Sequence, residues 1–190
     1  NNTLLDTITT SDYGTYSYDT TGKINALYSS IPNATSGNFH FITKVVEGGI
    51  TYSYNTSTGT YSIDTATSKP EFTSVVYEDT NSDTLAITSD NQKIVSNNST
   101  IKFDVSGITA KNSASIVNCK LTQLSTSADL TISGTTASVS NVVVAYENTR
   151  SKNITITLTD SRGLTYSQTI QLDLVNYSNP VGTFSVKRES

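Results

Sequence analysis

The chain has 190 residues and a formal net charge of −4; only 15% of positions are charged, while Ser and Thr fill 61 and Asn 17. That length accommodates one large domain or two small ones. Acidic balance with scattered Lys and Arg gives no basic footprint for a nucleic-acid backbone, and no apolar run reaches the ~18 residues of a membrane helix.

Thr is β-branched, and Ser and Asn compete with a helix for its backbone hydrogen bonds, so this composition favours strands and turns. The opening "NNTLLDTITT" has neither the basic start nor the apolar core of a signal peptide. Next, "YGTYSYDT", "NFHFITKVV", "ITYSYNTS" and "TYSIDTAT" alternate apolar and polar residues with the period of a strand, and "EGG" supplies a turn. Residues 1–68 are therefore expected to form a smaller or truncated β-sandwich. His40 alternates with Phe39 and Phe41 and is expected to face outward, with no second histidine or thiol to complete a zinc site.

Tyr16 with Tyr18, and Tyr52 with Tyr54, stand two apart and so share a face. Such pairs could form a stacking platform for sugar rings, or the core side of a thin sandwich short of Leu and Phe. Packing is the preferred reading.

"IDTATSKPEFTSVVYED" carries Pro70, which suits a joint because it offers no amide hydrogen and stiffens a short connection. "LDLVNYSNPVGTFSVKRE" repeats the pattern around Pro180, one domain length later. The joints divide the chain into residues 1–68, a second domain over 69–178, and residues 179–190 as a linker and the first strand of a following domain. Just after the first joint, "YEDTNSD" gathers Glu78, Asp79 and Asp83, which suit a hard cation such as calcium. Their spacing matches no EF-hand, and a solvated turn is preferred.

From residue 84 onward, short alternating strands follow one another every 8 to 14 residues. In "SIVNCKLT", Cys119 alternates with Val117 and Leu121, as a small core residue does. As the lone cysteine it forms no internal disulfide. In "TLTDSRGLTYS", Asp160, Ser161 and Arg162 resemble a nucleophile with helpers, yet both flanks alternate with period two. This predicts a hairpin with an exposed polar tip, closed by Gly163 at positive φ. No base stands beside Ser161; the sole histidine, His40, falls in the other domain. Seven or so strands in about 100 residues without helical crossovers match an immunoglobulin-like sandwich. The expectation for the whole chain is all-β: two consecutive Ig-like or fibronectin-III-like β-sandwiches, with at most a turn or two of helix and no catalytic, cofactor or metal residues.

The ordered succession "SSIPNATSG", "GTYSI", "SKPEF", "KNSASIVNCKLT", "TDSRGLTYSQTI" and "VNYSNPVGTFSVKRE" resembles a family of minor structural proteins from tailed phages and prophages of Gram-positive bacteria. The resemblance covers nearly the whole chain. Its most telling pieces are the Asp-Ser-Arg-Gly hairpin, the Tyr177 to Pro180 exit, and "Ile-Pro-Asn-x-x-x-Gly" at Ile31 to Gly37. It implies a virion component of the tail or baseplate, built of serial Ig-like domains and without a catalytic motif. Such domains would act as spacer and presentation units, with other tail proteins, and further copies of the chain, as partners. The virion, and the host surface during attachment, would be its location. The alternative is a carbohydrate-binding module or adhesin that contacts host cell-wall polysaccharide through Tyr16, Tyr18, Tyr52 and Tyr54. Neither reading involves nucleic acid or a membrane.

Overall fold

The computed structural model describes residues 4–10, 19, 21–122, 127–145, 148–177 and 182–188, leaving aside the side chains of 55 and 56. Its first elements are a 3-10 turn, Thr21–Lys23, and helix α1, Ile24–Ser29, which buries Leu27. Strands β1 (Ser36–Glu47) and β2 (Ile50–Ser62) then form an antiparallel ribbon. Glu47 pairs with Ile50 across Gly48 and Gly49, which sit at φ of 58° and 80°. A type I′ two-residue hairpin loop needs positive φ at both positions, which glycine supplies without steric cost.

Among the described residues, β1 and β2 pair with each other and with no further strand. Of residues 1–68, where a sandwich is expected, the described residues show this ribbon, the 3-10 turn and one short helix. The base of the ribbon is anchored on α1: the Tyr61 hydroxyl donates to the Leu27 carbonyl at 3.1 Å and lies 2.6 Å from the Ser30 hydroxyl. Tyr61 reaches across because Gly37 has no side chain; a Cβ there would lie 2.6 Å from the phenolic oxygen.

The connection to the rest of the chain is well held. Ile63, Ser68 and Pro70 are buried, and Asp64 accepts from the Thr67 hydroxyl and the Ala66 N–H, which lower its pKa. Glu71 bridges to Thr109, and its carboxylate lies 2.9 Å from Lys111 Nζ. Phe72 packs edge-on against Tyr166 with ring centroids 5.0 Å apart.

The remaining elements are β3 (Ser74–Asp79), α2 (Ser82–Thr88), β4 (Lys93–Val95), β5 (Ile101–Ser106), β6 (Ile116–Thr122), β7 (Ser127–Asp129), β8 (Thr131–Ser133), β9 (Thr136–Val142), β10 (Ser151–Asp160) and β11 (Thr165–Val175). They make a five-stranded sheet, β4-β11-β10-β6-β7, and a four-stranded sheet, β3-β5-β9-β8. Among these pairings only β4 with β11 is parallel. Alternation brings Ile101, Phe103 and Val105 of β5 and Ile154, Ile156 and Leu158 of β10 into one core with Leu121, Leu172 and Leu174. The three β10 residues are each 0% exposed, and burying each aliphatic chain contributes about 1.5–3 kcal/mol.

Cys119 is buried in this core as the alternation predicts. Val117 is not: it is 58% exposed. The β6–β10 register shifts beside it, pairing Asn118 with Thr159 but Ile116 with Asp160, and this bulge turns Val117 outward. The chain is mostly β, and the described residues include no helix long and apolar enough to cross a membrane.

Candidate functional site

The β10–β11 hairpin turn forms as the sequence predicts, with the Gly163 N–H donating to the Asp160 carbonyl and Gly163 at φ 81°. Its predicted exposure is wrong. Asp160 is 1% and Arg162 9% exposed, and they form a salt bridge with Nη2 2.9 Å from Oδ2. Asp160 Oδ1 accepts from the backbone N–H of Arg162 and Leu164, at 2.9 and 3.0 Å. Arg162 Nη2 also donates to the carbonyls of Ser68 and Lys111, both at 2.9 Å. The Ser161 hydroxyl donates to the Pro32 carbonyl at 2.6 Å and accepts from the Ser115 N–H at 3.1 Å.

These three side chains therefore hold segments together. They tie the loop after α1, the connection at Ser68 and the loop before β6 to one hairpin. That last loop carries Asn112 and Ser113 at φ of 53° and 62°, a conformation that costs non-glycine residues energy unless their surroundings fix it. Asn112 donates to the Ser68 hydroxyl at 2.9 Å and Ser113 meets Ser29 at 2.8 Å. The Ser161–Pro32 bond also joins the Asp-Ser-Arg-Gly turn to the Ile-Pro-Asn stretch, two motifs 129 positions apart. Local periodicity could not reveal that burial, since the covering atoms come from distant segments.

The acidic group at the start of the main body has a structural assignment too. Asp79 is 2% exposed and caps the turn into α2: Oδ1 accepts from the Asn81 N–H, and Oδ2 from the hydroxyls of Thr84 and Ser99. The Asn81 side chain in turn accepts from the Asp83 N–H, as a helix N-cap does. Asp79 is thus neither part of a solvated turn nor turned toward a cation with Glu78 and Asp83. The described residues contain no His, Cys, Asp and Glu grouping suited to a metal ion. Burial pushes the Cys119 thiol up to about 11, which keeps it protonated and unreactive near neutral pH.

Tyr16 and Tyr18 lie outside the described residues. Tyr52 and Tyr54 stand on β2, 43% and 54% exposed, so their preferred reading as core side chains is corrected. Register places Tyr52 opposite Val45, Tyr54 opposite Thr43 and Ile50 opposite Glu47. Alternation along β1 puts Phe39 and Phe41 on that same face, with rings 5.3 Å apart and edge-on, Phe39 lying over Gly59. Asn38, His40 and Lys44, with their partners Thr60, Thr58 and Ser53, take the other face. His40 lies there as expected, lining a shallow depression with Asn38, Thr58, Gly59 and Thr60. The ribbon thus has one face of aromatic and aliphatic side chains that also carries Thr43 and Glu47, and one on which polar side chains alternate with the exposed Ile42 and Val46; the former is a candidate contact surface.

Over residues 3–190 the chain matches the family DUF859, described as a siphovirus protein of unknown function, and it belongs to that family. No curated protein matches it.

Proposed function

From that siphovirus membership, we propose that the chain is a non-enzymatic structural segment of the virion, in the tail or baseplate, where serial Ig-like domains space and present other components. The observation that carries this reading is the use of Asp160, Ser161 and Arg162: the polar groups best equipped for chemistry spend their hydrogen bonds on a stiff junction. A spacer needs such a junction and needs no pocket.

Strand order supports the Ig-like assignment of the main body. β3-β5-β9-β8 corresponds to strands A-B-E-D, and β11-β10-β6 to G-F-C, with β4 added beside G and β7 beside C. The junction around Ser68 and Pro70 supports a division near residue 68 into a ribbon-bearing part and this body over 69–178. Residues 182–188 are exposed, with Phe184 and Val186 each at 97%. Mass spectrometry of gradient-purified particles tests the structural role: peptides of the chain should co-purify with virions in fixed proportion to the major tail protein. Their restriction to the unassembled lysate would contradict it.

The second reading, a module that contacts host cell-wall polysaccharide, is favoured by the exposure of Tyr52 and Tyr54 on one face. An array of Gram-positive wall polysaccharides tests it, with binding lost in Tyr54→Ala as the expected result.

A further inference from the structure

The stretch from the end of α1 to the start of β1 is gripped from two sides. On the ribbon side, the Tyr61 hydroxyl donates to the Leu27 carbonyl at 3.1 Å and lies 2.6 Å from the Ser30 hydroxyl, and the Ile63 N–H donates to the Thr35 carbonyl at 2.9 Å. Ile31 closes in on Gly37, where a Cβ would lie 2.9 Å from its Cγ2. On the side of the packed sheets, the Ser113 hydroxyl lies 2.8 Å from that of Ser29, and the Ser161 hydroxyl donates to the Pro32 carbonyl at 2.6 Å. We propose that residues 27–35 form a latch, which seats and unseats as one unit and, while seated on Ser113 and Ser161, orders the base of the ribbon.

Three observations support a single unit. The first is the weakness of the stretch by itself. α1 has six residues, and so short a helix does not recover the cost of nucleating its first turn. Its order therefore comes from the two grips, and both act on the same few residues.

The second is the backbone of the seat. Asn112 and Ser113 hold φ of 53° and 62°, a conformation that persists when surrounding contacts fix it. The Ser113 bond to Ser29 is one of those contacts, with Arg162 on the Lys111 carbonyl and Asn112 on Ser68 as others. Unseating the latch removes one of them, so the loop slackens as the latch leaves.

The third is Arg162 Nη1, which is buried with no hydrogen-bond acceptor among the described residues. A buried donor without a partner disfavours the closed state, and opening the loop beside it admits water. Several bonds thus hold the latch shut against local strain. Such a segment opens cooperatively and at lower cost than core strands.

Native-state amide exchange on the full chain tests the latch. The reporters are the amides of Ser30 and Ile31, which donate to carbonyls within the stretch and α1, and the amide of Ile63 at the ribbon's base. The three are expected to share one protection factor, lower than that of Ile156 in the central strand β10. Ser161→Ala should lower all three by the same factor, about tenfold for one lost buried hydrogen bond. Tyr61→Phe, on the opposite side, should also lower all three together. If Ser161→Ala leaves Ile63 unmoved, or Tyr61→Phe leaves Ser30 and Ile31 unmoved, the grips are independent and the proposal is overturned. Protection equal to that of Ile156 overturns it too, because the three amides would then open only with the whole fold. These outcomes concern the junction alone, so the virion role stands or falls separately.

Discussion

Arg162 contributes more to this protein than its place in a four-residue turn suggests. Its guanidinium, together with Asp160, is removed from water and meets two backbone carbonyls from other segments. Deleting one partner of a buried pair strands the other charge, at a typical cost of 3–5 kcal/mol. Arg162→Ala is expected to lower stability by about that much in a urea titration. Ser161→Ala, which leaves the Pro32 carbonyl and the Ser115 N–H unpaired, should cost about 1–2 kcal/mol. If both behaved as surface changes, within ~0.5 kcal/mol, the clamp assigned to this turn would be wrong. Cys119 gives a second test at this scale. Its pKa is raised from 9.0 to about 11 by burial, so the folded state holds its proton where the unfolded state has lost it. The associated stability is complete below pH 9 and disappears as pH rises toward 11, a loss of about 2–3 kcal/mol. Subtracting the pH profile of Cys119→Ala isolates it from the lysines and tyrosines titrating nearby. A flat difference between pH 9 and 11 would contradict the assignment.

At the scale of elements, the ribbon and the main body differ in how they are held. β10 sits between β11 and β6 with its alternate side chains in the core, whereas among the described residues β1 pairs with β2 alone. Backbone hydrogen bonds near solvent open at lower cost than those of core strands. Amide exchange in monomeric protein should therefore be faster along 42–55 than along 154–159, and equal rates would show that the ribbon is supported by more than its own pairing. Much at this scale was legible in the sequence. Period-two alternation located β5, β6, β10 and β11, and Gly48-Gly49 and Gly163 located two hairpin turns. Less visible was α2, since "SDTLAIT" is too short for a helical stripe; Asn81 ahead of Ser82 and Asp83 is its one local mark, an N-cap. Val117 misled because a bulge reverses the side to which a residue points, and nothing in its own neighbours announces it.

For the whole molecule, sequence supported the all-β class because Ser, Thr and Asn weaken helices throughout. It did not distinguish the strands of a sandwich from the two-stranded pairing seen among the described residues at 36–62, since both are written in the same alternation. The same ambiguity hid the candidate contact surface: Tyr52 and Tyr54 have the spacing of core residues and the exposure of surface ones. What unites the parts is the connection through Ser68, Pro32 and Lys111 to the β10–β11 turn, which ties the segments before and after the ribbon to the two packed sheets. The role proposed for this siphovirus protein is that of a structural part of the phage tail. Immunogold electron microscopy on intact particles, with antibody raised against the full chain, tests it most directly: gold is predicted on the tail or its distal end, and label confined to the head, or absent from intact particles while present in the lysate, would contradict the account.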